Sequence, residues 1–327
     1  MFSSGVPRYA PPERSGMSVR GGTSRATHPL IVGGVRFTLS GPLTMTRFPP
    51  AFRAFLDADV PWDLACRVRC RGADALLASE PRVPDQPWTF ARDLENDHLI
   101  RRAATGETVW RIDAPRSFEQ AVVRWHPSLF SACYSSYEYA WGTGLGLALT
   151  VMRLQAVGGV AFHGTAAEVD GQGILGLGIS GSGKSTLARM LQDAGCAVLS
   201  DERPLVRRNP DVPSEGSDAA GFRVYGSPWP SSAGAAQNTH APLRRIYFLE
   251  HGQTNRIRPL TPAEALSRMI PVTAIPWREP CQLDPYLVTI DGLLRFVPCS
   301  VFAFRPEPAA ISHIREDLAS LPPRGTP

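Results

Sequence analysis

The chain reads as an α/β protein in which a phosphate-binding domain follows a smaller, strand-rich N-terminal domain. Three observations carry that reading. Gly178-Ile179-Ser180-Gly181-Ser182-Gly183-Lys184-Ser185 has the G-x-x-x-x-G-K-[ST] spacing of a phosphate-binding loop. The residues before it are apolar and strand-like and those after it are helix-forming, so the loop sits at a strand-to-helix junction. Lys184 is the only lysine in 327 residues, so that 33 of the 34 basic residues are arginine. A compact ammonium on a flexible stem fits against the β- and γ-phosphates, where a planar guanidinium would crowd the loop.

Composition sets the frame. A chain of 327 residues with 43% apolar and 20% charged residues has room for about two globular domains. The net charge of +4 is small, and Arg8, Arg14, Arg20 and Arg25 near the N-terminus contribute to it, so no nucleic-acid surface is expected. Six cysteines are too few for a disulfide framework and imply a reduced, intracellular setting. Cys66-x-x-x-Cys70 lacks a second pair or a nearby histidine to complete a zinc site. The longest apolar helical candidate is interrupted at Arg153, and the first residues lack an apolar signal core. A cytoplasmic protein with no membrane partner is the expectation.

In chain order, residues 1–28 mix Pro, Gly, Ser and Arg and are expected to be a disordered tail. The strand-rich domain covers 29–140, with strands at Leu30–Leu39, Leu64–Arg69, His98–Arg102, Thr108–Ile112 and Ala121–Trp125. Phe52–Leu56 suits a short helix and Ala103–Glu107 a hairpin turn. No cluster of His, Cys or carboxylates stands out there, so the region is assigned no chemistry. The phosphate-binding domain covers 141–318, and 319–327 is a tail. Leu145–Ala156, apolar on all sides, is a buried helix. Gly158–His163 and Ile174–Leu177 are buried strands, Lys184–Ala194 is a helix, and Cys196–Leu199 is a strand that ends at Ser200-Asp201-Glu202. Asp211–Gly221 is a polar loop. Arg244–Leu249 and Val297–Phe304 add strands, and Pro262–Met269 and Pro308–Leu318 add helices.

The loop supplies the chemistry. Gly178, Gly181 and Gly183 allow successive backbone N–H groups to point inward, and the helix beginning at Lys184 adds the positive end of its dipole. Gly178, Ser180, Gly181, Ser182, Gly183, Lys184, Ser185 and Thr186 therefore form the candidate nucleotide cradle. Lys184 bridges the terminal phosphates, the Ser185 hydroxyl ligates Mg²⁺, and Thr186 donates a further hydrogen bond. Gly176-x-Gly178-x-x-Gly181 also matches a dinucleotide fingerprint with Asp201 as its ribose acid, but that reading leaves the lysine and the following hydroxyl unexplained. Asp201 and Glu202 are either a pair that divides metal binding and acceptor activation or a solvated turn with aspartate as a cap. His163 on its own is either structural or catalytic.

The segment Phe162–Val206 resembles the catalytic domain of HPr kinase/phosphorylase. There a His-Gly segment, a hairpin, a phosphate-binding loop, a helix ending in Gly and a strand ending in paired acids occur in this order. The resemblance implies a phosphate-binding fold related to ATP-dependent phosphoenolpyruvate carboxykinase. It also implies ATP and Mg²⁺ as cofactors and the serine of a peptide or protein as acceptor, with a homo-oligomer possible. By position, Asp201 matches the acid that acts on the acceptor hydroxyl, His163 the active-site histidine, and Ser185 the metal-binding hydroxyl. The second acid appears as Glu202, one methylene longer. The later Glu-x-Arg-Gly-x-Gly segment has no match, since Phe222–Trp229 carries no carboxylate. Arg244, Arg245 and Arg278 are candidates for a phosphoryl-contacting arginine. Gly226–Trp229 also resembles the Gly-x-Pro-Trp region of HPr-kinase-like proteins encoded among peptide-modification genes, including lasso-peptide kinases. A kinase is thus expected, with a nucleotide-binding regulator lacking turnover, or a carboxykinase-type lyase, as alternatives.

Overall fold

The computed structural model describes residues 29–41, 48–56, 59–72, 88–126, 144–211, 221–274 and 283–322. Outside them lie the expected tail at 1–28, residues 323–327 of the tail expected at 319–327, most of the Asp211–Gly221 loop, Cys133, Arg278 and Cys281. The described residues form a mixed α/β structure with two sheets.

The first sheet has seven strands: β1 (Pro29–Val32), β2 (Val35–Ser40), β3 (Leu64–Gly72), β4 (Trp88–Arg92), β5 (Asn96–Arg102), β6 (Thr108–Pro115) and β7 (Gln120–Trp125), in the order β1-β2-β3-β7-β6-β5-β4. β3 runs parallel to both β2 and β7. The single strand expected over Leu30–Leu39 is a hairpin, because Gly33 and Gly34 take φ +61° and +74° and make a two-residue turn inside the apolar run. β4 was not expected at all. Phe52–Leu56, expected as a helix, is the end of a 3-10 turn over Pro50–Phe55. The turn at Ala103–Glu107 joins β5 to β6, closed by Ala103 N–H donating to the Glu107 carbonyl at 2.8 Å. Alternation places Val35, Phe37 and Leu39 of β2 and Cys66, Val68 and Cys70 of β3 on the buried face, with Arg67, Arg69 and Arg71 outside.

Helix α1 (Gly144–Gln155) sets Leu145, Leu149, Met152 and Leu154 into the core of this first sheet, together with Phe52, Phe55 and Trp110. The same apolar cluster takes in Leu205, Tyr225 and Trp229 from farther along the chain, so the two sheets share a packed boundary. Arg207 crosses it: Nη1 and Nη2 donate to the two Asp63 carboxylate oxygens at 2.9 and 2.7 Å, and Nη1 also reaches the Gly33 carbonyl at 2.9 Å.

The second sheet contains β8 (Gly159–Ala161), β9 (Gly164–Val169), β10 (Gln172–Leu177), β11 (Ala197–Ser200), β12 (Leu205–Arg208), β13 (Phe222–Tyr225), β14 (His240–His251), β15 (Arg256–Pro259) and β16 (Cys299–Phe304). β14 is its spine. The start of β14 pairs antiparallel with β13, and the rest runs parallel between β10 and β16. Alternate residues of this parallel core feed opposite faces. Leu175, Leu177, Ile246 and Phe248 pack with α3 (Pro262–Met269) and α4 (Asp284–Phe296). Ile174, Tyr247, Leu249 and Phe302 pack with α2 (Lys184–Asp193) and α5 (Ala309–Ala319). Helices on both faces of a parallel core leave the strand ends, where the loops collect, as the place for chemistry. No described helix is long and apolar enough to cross a membrane.

Candidate functional site

The glycine loop leaves β10 at Leu177 and enters α2 at Lys184. Gly181 and Gly183 hold φ +84° and +96°, a left-handed backbone that side chains resist. Space matters as much as dihedral at two positions. A Cβ on Gly178 would lie 2.2 Å from Ser182 Oγ, and one on Gly183 would lie 2.9 Å from the Phe304 ring. Ser182 N–H donates to the Ile179 carbonyl at 3.2 Å, and Leu187 N–H to Gly183 at 2.8 Å opens the helical ladder.

Lys184 is buried, and its Nζ donates to the Gly178 and Ile179 carbonyls, both at 2.8 Å. Burial lowers the Lys184 pKa; Glu202 opposes that and Arg203 adds to it. The ammonium is held by the carbonyls of the loop itself. Ser182 Oγ, packed against Gly178, is buried with no hydrogen-bond partner. Ser180 is exposed, and Ser185 and Thr186 are half-buried in the first turn of α2. His251, at the end of β14, places Nε2 2.6 Å from the Gly181 carbonyl. An unpartnered hydroxyl, inward glycines and a pinned lysine fit a polyphosphate.

The acids at the end of β11 separate. Asp201 is fully buried and its carboxylate faces three donors: Ser231 N–H to Oδ1 at 2.9 Å, Ser231 Oγ to Oδ2 at 3.0 Å, and Ala233 N–H to Oδ2 at 2.7 Å. Ser231 Oγ also lies 3.4 Å from Ser185 Oγ, so one hydroxyl links the acid to the phosphate loop. Glu202 turns instead toward His163 and Arg203. Its Oε1 lies 3.2 Å from His163 Nδ1 and 3.4 Å from an Arg203 nitrogen. The His163 contact satisfies charge pairing without hydrogen-bond alignment, and Nδ1 has no hydrogen-bond partner. Burial works to raise the Glu202 pKa, but His163, Arg203 and Lys184 together outweigh it and hold the carboxyl below its ordinary value. His163 is set at this position by backbone bonds on either side: its N–H to the Val272 carbonyl at 2.7 Å, and Gly164 N–H to the Glu202 carbonyl at 3.2 Å.

Thus Lys184, Ser185, Asp201, Glu202 and His163 collect at one end of the sheet. Ser231, Ala233 and His251 join them without having been singled out in the sequence. A serine some thirty residues beyond the acids carries no local signal; the fold alone delivers it. Gly226 shows how: its chain passes so close that a Cβ would lie 1.9 Å from the Gln237 carbonyl and 2.6 Å from that of Leu199. Trp229 then anchors in the first core, edge-on to Phe52 at 5.9 Å, and the chain turns back to Ser231. The two described arginines proposed for phosphoryl contact lie elsewhere. Arg245 forms a bidentate pair with Asp317 of α5 at 2.7 and 2.6 Å, and Arg244 reaches Gln172 and the Pro322 carbonyl. Among the described residues no three His, Cys, Asp or Glu side chains come together as a ready-made metal cluster.

No protein-family model matches the chain, and no curated protein matches it. Among solved structures it is similar to the Hpr(Ser) kinase/phosphatase from Coxiella burnetii, at 14% identity and a TM-score of 0.25, over 49% of this chain and 99% of that one. At that score the likeness is distant and carries no argument about mechanism.

Proposed function

We propose that the chain is an ATP- and Mg²⁺-dependent phosphotransferase that moves the γ-phosphoryl group to a hydroxyl, a serine of a peptide or protein. One observation carries the reading. A hydroxyl, that of Ser231, is hydrogen-bonded to a buried carboxylate 3.0 Å away and stands 3.4 Å from the serine that follows the loop lysine. These contacts support transfer to an alcohol, with the Ser231 hydroxyl read as standing in for the acceptor.

In the proposed reaction the acceptor hydroxyl displaces Ser231 from Asp201. The acceptor oxygen bonds to the γ-phosphorus as the bond from phosphorus to the β,γ-bridging oxygen breaks. ADP leaves with that electron pair, and the hydroxyl proton passes to the Asp201 carboxylate. Lys184 and the loop amides stabilise the charge on the transferred group and on ADP. Ser185 and Glu202 offer the hard oxygen donors that suit Mg²⁺, which neutralises phosphate charge when bound. His163, beside Glu202, keeps that carboxyl ionised.

Incubation with γ-labelled ATP and a library of serine-containing peptides, with the label located by mass spectrometry, tests the reading. Label on serine, lost in Asp201→Asn while ATP binding persists, is the expected result. Tight ATP binding with no transfer to any peptide would replace it with the regulatory reading. The occupied Asp201 carboxylate and the absence of an acid in Phe222–Trp229 are what favour that alternative.

A further inference from the structure

The outer face of the first sheet carries a groove that the proposed transfer chemistry does not use. Thr38 and Ser40 of β2, Arg67 and Arg69 of β3, and Val122 and Arg124 of β7 line an open depression of about 580 Å³. Strand register puts them side by side, with Thr38 opposite Arg67, Ser40 opposite Arg69, Arg69 opposite Val122 and Arg71 opposite Arg124. The opposite face of the same strands is the apolar core, so the arginines cannot turn inward. Arg124 is held by Asp113, which also takes Arg111 at 2.5 Å and His98 at 2.6 Å. That one carboxylate is shared by three cationic or polar partners and has nothing left for the arginines of β3.

Arg67, Arg69 and Arg71 are all exposed, and none pairs with an acid among the described residues. Three like charges on alternate positions of one strand stand about 6.6 Å apart, twice the rise of about 3.3 Å per residue. They repel one another, and no acidic partner among the described residues offsets that cost.

We infer that this face is a docking groove for an extended acidic polypeptide segment. A strand-like peptide repeats its own side chains on one face every second residue, with the spacing of the arginine row. Carboxylates at alternate positions then meet Arg67, Arg69 and Arg71 in turn, each in the fork geometry guanidinium prefers. Thr38 supplies a hydroxyl for the peptide backbone, and Ser40 Oγ, which donates to the Val68 carbonyl at 3.3 Å, is left to accept from it. Nucleic acid fits less well, because no aromatic side chain lines the groove to stack a base.

The test needs neither nucleotide nor transfer, so it stands or falls apart from the phosphotransferase reading. Fluorescence anisotropy of the full chain would be followed with a labelled Glu-Ala repeat decapeptide, the matching Gln-Ala peptide, and a single-stranded oligonucleotide of equal charge. The acidic peptide is expected to bind at low salt, to weaken as salt rises, and to lose about tenfold or more affinity in Arg67→Glu/Arg69→Glu. The milder Arg67→Gln/Arg69→Gln should lose less, and Arg295→Gln, far along the chain on α4, should lose nothing. Equal binding of the Gln-Ala peptide, tighter binding of the oligonucleotide, or undiminished binding by both double variants would overturn the assignment.

Discussion

Asp201 is the residue whose removal the structure prices most closely. Asp201→Ala takes the acceptor from three donors at once, Ser231 N–H, Ser231 Oγ–H and Ala233 N–H. The hydroxyl has a fallback, since Ser231 Oγ already lies 3.2 Å from the Asp201 backbone carbonyl. The two amides do not. A buried donor left unsatisfied costs roughly 1–3 kcal/mol, so the pair amounts to about 3–4 kcal/mol once some water enters the vacated space. That is a large part of a typical stability of about 5–15 kcal/mol. At roughly 2–4 °C per kcal/mol for a chain of this size, the melting temperature falls by about 6–16 °C. Asp201→Asn retains one acceptor oxygen and should lose about half as much. Circular dichroism melts and urea titrations of the wild type and both variants provide the assay. If both variants melt within about 1 °C of the wild type, Asp201 does not hold the Ser231–Ala233 segment, and the Ser231 hydroxyl cannot stand for an acceptor.

Three further outcomes follow from single positions. Gly226→Ala should give insoluble or unfolded protein, because its Cβ would meet the backbone carbonyls of Gln237 at 1.9 Å and of Leu199 in β11 at 2.6 Å; a soluble variant with a wild-type melt would show that the crossing is looser. Glu202 has a folded pKa below its unfolded one, so it adds stability at neutral pH that is lost as pH falls through the folded value. Urea midpoints of wild type and Glu202→Gln should therefore differ at pH 7 and begin to converge only below about pH 4.3, the unfolded glutamate value; a difference that grows with acid would reverse the assignment. Burial pushes the thiols of Cys66, Cys70 and Cys299 up to about 12, so iodoacetamide at pH 8 should leave them unmodified in native protein and label them in urea. Native-state labelling of any of the three, mapped by peptide mass spectrometry, would contradict their placement.

What the sequence disclosed and what it concealed divide along physical lines. The strand, loop and helix from Ile174 to Asp193 were readable because glycine spacing, a lone lysine and helix periodicity all act locally. The helices α1, α3 and α5 were readable for the same reason, while α4 was missed: Asp284-Pro285 was not taken as a helix start. β1 and β2 were merged because six of the eight residues around Gly33-Gly34 are apolar or β-branched, and the turn signal was subordinated to that run. β9, β12 and β13 escaped because strands of four to six residues paired on both sides need no alternation to announce themselves, and β15 because it is a four-residue, mostly exposed strand paired only with β16. At the site, Lys184, Ser185, Asp201 and Glu202 were visible as types. Their division of labour was not, since full burial of Asp201 and half-burial of Glu202 depend on where Ser231 returns. The arginine row on β3 was equally plain in Arg67-Val68-Arg69-Cys70-Arg71, but its solvent face becomes a groove only when β2 and β7 flank it.

The claim on which the rest depends is that Lys184 belongs to a nucleotide site. Isothermal titration of a non-hydrolysable ATP analogue with Mg²⁺ into wild type, Lys184→Ala and Lys184→Arg measures it directly, with melts confirming that each variant is folded. Wild type should bind, alanine should lose about tenfold to a hundredfold or more in affinity, and arginine should not restore it, because the fork cannot replace the ammonium in the loop. Equal affinity in folded wild type and Lys184→Ala, or no binding by the wild type, would contradict the account.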